Sequence, residues 1–249
     1  MSHTDRSTSR SGLLSVLDAV LPNWALQAMD HPGIWEWQVR RYEQSDRRST
    51  PLQDGILFTG SSSINLWSTL AEDMAPLPVL NRGFGGAHLD HVNRYARRIV
   101  LPYRPRMIVL YAGENDLSGM SGKTPQTVAA DFDHFVELVH SGLPESHIVY
   151  LSIKHSPLRH KMAALQQETN ALIHNRIKTD KRFSYIDIAT PLLDSEGMPR
   201  RELFKFDRLH LNDEGYRIWT AELRPQLEQL WEGLTAPTRA KAGPRRKAS

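Results

Sequence analysis

Five short apolar runs, set apart by stretches of helical length, constrain this chain more than any other feature. They are Ile56-Leu-Phe-Thr59, Val79-Leu-Asn81, Met107-Ile-Val-Leu-Tyr-Ala112, Ile148-Val-Tyr-Leu-Ser-Ile153 and Tyr185-Ile-Asp-Ile188. A continuous apolar run that ends in small or turn-forming residues suits a strand buried on both faces of a parallel sheet. Around and between them the spacing predicts helices at about 33–48, 64–74, 88–101, 125–141 and 161–179. Phe132, Phe135, Val136 and Val139 fall on one face of the fourth of these. Asn212 stands where a last helix needs its N-cap, with Asp213 and Glu214 in a first turn where the dipole favours acids. Strands alternating with helices predict an α/β fold, a doubly wound, five-stranded parallel sheet with helices on both faces.

The 249 residues contain no internal repeat and no second composition block, so residues 12–236 are expected to form a single domain. Its N-terminal part, about 12–48, is expected to be a helical extension, in which Leu13, Leu17, Val20 and Trp24 recur at helical spacing. Asp18 interrupts the apolar run there and Pro22 ends it, which favours an amphipathic helix over a secretory signal, so a cytoplasmic location is expected. Residues 1–11 read as a loose terminus and 237–249 as a basic disordered tail. That tail carries Arg239, Lys241, Arg245, Arg246 and Lys247 with no acid, and without those five charges the net +3 becomes −2. The basic balance therefore belongs to the tail, and no nucleic-acid partner is expected for the domain. The longest apolar runs, about seven residues, fall short of the roughly 20 that a membrane span requires. The absence of cysteine excludes disulfides, iron–sulfur clusters, thiolate zinc sites and thiol nucleophiles.

In an open parallel sheet, ligands bind beyond the C-terminal ends of the strands. The residues just after each apolar run are therefore the place to look for a site. Ser61-Ser62-Ser63 comes after the first, Gly83-Phe-Gly-Gly86 after the second and Glu114-Asn115-Asp116 after the third. Asp207 and His210 come after the fifth, beyond a loop. A hydroxyl, a glycine turn, an amide and an Asp/His pair are the parts of a serine hydrolase. Three other motifs do not hold. Gly83-Phe-Gly-Gly-Ala-His88 has His where a dinucleotide fingerprint needs a small residue. Gly122-Lys-Thr124 has Leu117 where a phosphate loop needs its first glycine. Gly60-Ser-Ser-Ser-Ile64 is not the GxSxG nucleophile elbow.

Phe58-Thr-Gly-Ser-Ser-Ser-Ile64, Asn81-Arg-Gly-Phe-Gly-Gly86, Gly113-Glu-Asn-Asp116 and Asp207-Arg-Leu-His210 resemble the four ordered sequence blocks of the SGNH/GDSL hydrolases. The resemblance spans residues 58–210 and implies the SGNH hydrolase fold, which is flavodoxin-like. It also implies roles. Ser62 matches the nucleophile, the third residue of the G-D-S block. Gly86 and Asn115 match the oxyanion-hole residues, and Asp207 and His210 match the D-x-x-H pair. Ser61 departs from the family, which usually carries Asp there, but that Asp is not a member of the catalytic triad. The activity implied is hydrolysis of a small-molecule carboxylic ester through an acyl-enzyme, with no metal or cofactor. A non-catalytic binding module and an acyltransferase using the same triad are the alternatives. Comparing water with added alcohols as acyl acceptor separates hydrolysis from transfer. Sugar acetates, short lipid esters, lysophospholipids and thioesters all remain open as substrates.

Other residues have simpler expectations. His88 and His91, spaced i, i+3, are expected on a solvated helix face rather than on a metal, because no second ligand pair accompanies them. Lys154 and His155, with Arg159 and His160, come after the fourth strand and are candidates for a substrate pocket. Trp67 and Trp219 are expected in the core.

Overall fold

The structure is a computed structural model that describes residues 33–118 and 121–236. The expected N-terminal helix and basic tail lie outside those residues. Five strands, β1 (Ile56–Gly60), β2 (Val79–Gly83), β3 (Met107–Tyr111), β4 (His147–Leu151) and β5 (Phe183–Ile186), form one sheet in the order β2-β1-β3-β4-β5. Every pairing is parallel, with Ile56 opposite both Val79 and Met107, Met107 opposite His147, and Ile148 opposite Phe183. The helices are α1 (Glu36–Arg48), α2 (Ser62–Asn65), α3 (Leu70–Asp73), α4 (Leu89–Ile99), α5 (Pro125–Gly142), α6 (Ala163–Ile177) and α7 (Asp213–Thr235).

Strand side chains alternate between the two faces of a sheet, and here both faces are covered. Leu57, Ile108, Leu110, Ile148 and Tyr150 pack on one side with Val39 of α1, Val92 of α4, Phe132 of α5 and Ile173 of α6. Ile56, Phe58, Met107, Val109, Val149 and Leu151 pack on the other with Ile64 of α2, Leu70 of α3 and Trp219 of α7. This two-sided burial explains the unbroken apolar runs of β1, β3 and β4, whose residues are all buried. Helix caps obey local chemistry. Thr124 Oγ1 accepts from Thr127 N–H at 3.2 Å beside Pro125 in the first turn of α5, and Asn212 Oδ1 accepts from Gly215 N–H at 3.1 Å at the start of α7.

Two expectations are corrected. The single helix at 64–74 is instead α2 and α3, because the intervening residues turn Trp67 inward. Its indole is 1% exposed and its Nε1–H donates to Asp73 Oδ2 at 2.6 Å. The last strand begins two residues early. Asp187 starts a turn by accepting the N–H groups of Ala189 and Thr190 at 2.9 and 3.2 Å, so Ile188 is buried in a loop rather than paired in the sheet.

The sheet order reverses between β1 and β3, since the chain builds outward to β2 and then returns to the far side of β1. That switch point is where an α/β sheet opens a crevice beyond its strand ends.

Candidate active site

Gly60 ends β1 with φ +126°, and a Cβ there would stand 1.9 Å from the Tyr111 carbonyl oxygen, so only glycine permits β1 and β3 to approach this closely. The next residue, Ser61, donates its N–H to that same carbonyl at 2.9 Å. The three serines then diverge. Ser61 and Ser63 are each 2% exposed, whereas Ser62, the first residue of α2, is half-buried and opens to the strand-end surface. The turn is braced from below. Tyr216 Oη donates to the Ser63 carbonyl at 2.9 Å, and the Tyr216 ring stacks on Trp67 with 5.0 Å between centroids. Trp67 and Trp219 are core residues, as expected.

Asp207 and His210 sit on a tight loop closed by a bridge between Phe204 and Leu211, where Lys205 N–H donates to the His210 carbonyl at 2.7 Å. Arg208, between them, adopts φ +59°. Asp207 Oδ1 accepts the N–H groups of Leu209 and His210 at 2.9 and 3.0 Å, which leaves Oδ2 for the His210 ring at Nδ1, 2.7 Å away. The opposite ring nitrogen, Nε2, is 2.9 Å from Ser62 Oγ. A carboxylate can only accept, so Nδ1 carries the proton and the Nε2 lone pair faces the serine hydroxyl. Partial burial pushes the Asp207 carboxyl up, but the hydrogen bonds from the His210 ring and from the two N–H groups outweigh it and hold the carboxyl below its usual range. The pair opens to solvent, with the Asp207 side chain 46% and the His210 side chain 22% exposed.

Gly86 has φ +67°, a backbone conformation that glycine adopts without strain. Asn115, 8% exposed, lies across from it. Its Nδ2 donates to the Ala87 carbonyl at 3.1 Å, and its Oδ1 accepts from Arg159 Nη1 at 2.9 Å. Asp116 ties the same two loops together by accepting Leu89 N–H at 3.0 Å, the first N–H of α4. Of the five sequence-predicted residues, Ser62 opens α2 just beyond β1, and Gly86, Asn115, Asp207 and His210 lie on loops. Ser62, His210 and Asp207 form one continuous hydrogen-bonded chain.

Lys154 is placed differently from its expectation. It is fully buried, with Nζ 2.5 Å from Glu114 Oε2, and it lies beneath the site rather than in a pocket wall. Glu114 also accepts from Tyr111 Oη at 2.8 Å and lies 3.6 Å from Arg159 Nη1. Burial pushes the Glu114 carboxyl up, but Lys154 and Arg159 outweigh it and hold it below its usual range. The same burial pushes the Lys154 ammonium down, and Glu114 offsets this only in part. His155 is 4% exposed and held below its usual range by burial, so it too is turned inward, while His160 is exposed. Glu114 was not singled out by the sequence. Its signal was a carboxylate adjacent to Asn115 in a block of otherwise assigned residues.

His88 and His91 also differ from expectation. They are 4% and 2% exposed rather than solvated, and their rings stack with centroids 4.8 Å apart. His91 Nδ1 accepts from His88 N–H at 3.2 Å and from Trp35 Nε1–H at 3.3 Å, closing the start of α4. Two groups among the described residues bring metal-type donors within 4.8 Å of one another: His88 with Asp90 and His91, and Asp90 with Asp116 and Asp131. The second already surrounds a cation, because Lys123 Nζ stands 2.8, 3.0 and 2.9 Å from Asp90, Asp116 and Asp131. Their attraction outweighs burial and raises the ammonium's affinity for its proton.

The sequence model of the GDSL-like Lipase/Acylhydrolase family matches residues 54–218. The five-stranded parallel sheet has the SGNH hydrolase fold, and the family match makes the chain a hydrolase. The chain belongs to the GDSL-like Lipase/Acylhydrolase family. No curated protein sequence matches the chain significantly. Solved structures share the fold. A Streptococcus pneumonia protein named for platelet activating factor aligns at TM-score 0.67 and 18% identity, over 85% of this chain and 98% of its own. A GDSL-like lipase from Bacteroides thetaiotaomicron aligns at 0.65 and 19%, over 77% and 98%. An acetyl-xylooligosaccharide esterase from Geobacillus Stearmophilus aligns at 0.57 and 14%, over 71% and 95%. No helix among the described residues is long and apolar enough to cross a membrane.

Proposed function

We propose that this chain hydrolyses a small-molecule carboxylic ester through an acyl-enzyme on Ser62. The observation that carries the reading is the relay from Asp207 Oδ2 to His210 Nδ1 at 2.7 Å and from His210 Nε2 to Ser62 Oγ at 2.9 Å. His210 Nε2 takes the hydroxyl proton as Ser62 Oγ forms its bond to the ester carbonyl carbon. Asp207 holds the tautomer that makes this transfer possible and stabilises the imidazolium that results. The carbonyl electron pair moves onto oxygen, where the N–H groups of Ser62 and Gly86 and the Asn115 amide stabilise it. As that pair returns, the C–O bond to the alcohol breaks and the leaving oxygen takes the proton from His210. Water then adds to the acyl carbon, giving its proton to His210, and the second collapse returns that proton to Ser62 while releasing the acid.

The half-buried position of Ser62 supports its choice over its neighbours, since the hydroxyls of Ser61 and Ser63 belong to residues buried in the turn. The esterase named among the fold relatives acts on an acetylated sugar oligomer, which makes an acetylated sugar worth including beside a graded series of p-nitrophenyl esters. Turnover of at least one of these esters is expected. Ser62→Ala is expected to abolish it, and Ser61→Ala and Ser63→Ala are expected to retain most of it. Turnover that survives in Ser62→Ala overturns the reading.

A further inference from the structure

We propose that Arg159 is a positioning residue that locks the Asn115 side-chain amide in the orientation an oxyanion donor needs. The proposal rests on the ester-hydrolase reading of the site. An asparagine amide can rotate end for end with little change in shape, and only its partners decide which end is NH₂. Here both ends are decided. Arg159 Nη1 approaches Oδ1 at 2.9 Å, and a guanidinium can only donate. The Ala87 carbonyl lies 3.1 Å from Nδ2, and a carbonyl can only accept. Rotating the amide would set NH₂ against guanidinium and oxygen against oxygen, losing two bonds in a buried place. With the orientation fixed, one Nδ2 hydrogen goes to Ala87 and the second is left for the substrate oxygen.

Arg159 gives its hydrogen bond to Asn115, while its charge also faces Glu114. Its contact with Asn115 is 2.9 Å, whereas Glu114 Oε1 stands 3.6 Å away and already has Lys154 at 2.5 Å on its other oxygen. The guanidinium is itself enclosed, the Arg159 side chain being 8% exposed. Its backbone N–H donates to the Ser156 carbonyl at 3.0 Å, and the N–H of Leu158 donates to the Arg208 carbonyl within the Asp207–His210 loop at 3.0 Å. One short segment therefore touches both halves of the site. A cation bonded to Oδ1 also draws charge from the amide and strengthens the remaining N–H as a donor.

The test is Arg159→Met, which removes the donor and the charge yet leaves Glu114 paired with Lys154. It should lower kcat on a p-nitrophenyl ester about 10- to 100-fold, below the cost of deleting an oxyanion donor outright. KM should stay within about threefold, because the lost interaction is felt in the transition state. Arg159→Lys should recover part of the loss. In the Asn115→Ala background, Arg159→Met should change kcat by less than about twofold, because nothing remains to orient. If the methionine variant does not fold, the same cycle is read with lysine, which should lower kcat only while Asn115 is present. Wild-type kcat in the variant, or losses that multiply in the double variant, would overturn the proposal. Ser62→Ala, measured alongside, separates the two claims: its retained turnover sinks the ester-hydrolase reading, whereas a silent Ser62→Ala with a fully active Arg159→Met sinks only this one.

Discussion

Replacing His210 with alanine is expected to lower kcat by at least about 10³, measured at saturating ester. The expectation comes from geometry. His210 Nε2 is 2.9 Å from Ser62 Oγ, and its other ring nitrogen is held by Asp207 at 2.7 Å. Asp207→Asn should also lower kcat, and by less, because the wrong tautomer impairs the base without deleting it. Two other histidines near the fourth strand provide the contrast. His155 is turned inward and His160 is exposed, and neither has a hydrogen bond to Ser62. His160→Ala should change KM or substrate preference, and His155→Ala should not lower kcat as His210→Ala does. If either silences the enzyme at every ester concentration while His210→Ala stays active, the assignment of the base is wrong.

The second large effect is on stability. Glu114→Gln leaves Lys154 and Arg159, 0% and 8% exposed, without their shared counter-ion. Breaking a buried pair from one side costs about 3–5 kcal/mol, a large share of the roughly 5–15 kcal/mol that holds a typical domain together. Tm should fall by about 10 °C for a chain of this size. The pH dependence has a definite sign. The folded Glu114 carboxyl lies below its unfolded value of 4.5, so its contribution is fully present above pH 4.5 and is lost as pH falls through the lower folded value. The acid limb of the stability curve should therefore be shallower in Glu114→Gln than in the wild type. A variant whose Tm stays within about 2 °C of wild type would show that the buried charges are compensated elsewhere.

The strand cores were legible because burial on both faces writes itself as uninterrupted apolar sequence, as in Met107–Tyr111. The loops that meet at the site were legible because a parallel sheet places every post-strand turn at one edge. The features that were not legible depend on partners distant in sequence. Trp67 breaks a helix because Tyr216, far along the chain, offers its ring a face at 5.0 Å. Lys154 reads as a candidate pocket residue until the loop after β3 supplies Glu114 beside it. His88 and His91 have the spacing of an exposed helical pair, yet both are buried and Trp35, more than fifty residues away, donates to His91. At the early end of β5 the Asp187 turn is completed by a distant serine, Ser152, whose Oγ takes the N–H groups of Ile188 and Ala189 at 2.9 and 3.0 Å. Local pattern carries the period of an element, whereas these features belong to contacts between elements.

The central claim is that Ser62, and neither adjacent serine, forms the acyl bond. Treating the protein with a fluorophosphonate and mapping the adduct by peptide mass spectrometry tests it directly, because phosphonylation requires the hydroxyl that His210 activates. The account predicts a single adduct on Ser62, absent from Ser62→Ala and slowed at least about 10²-fold in His210→Ala. An adduct on Ser61 or Ser63 in the wild type, or undiminished labelling of Ser62→Ala, would contradict it.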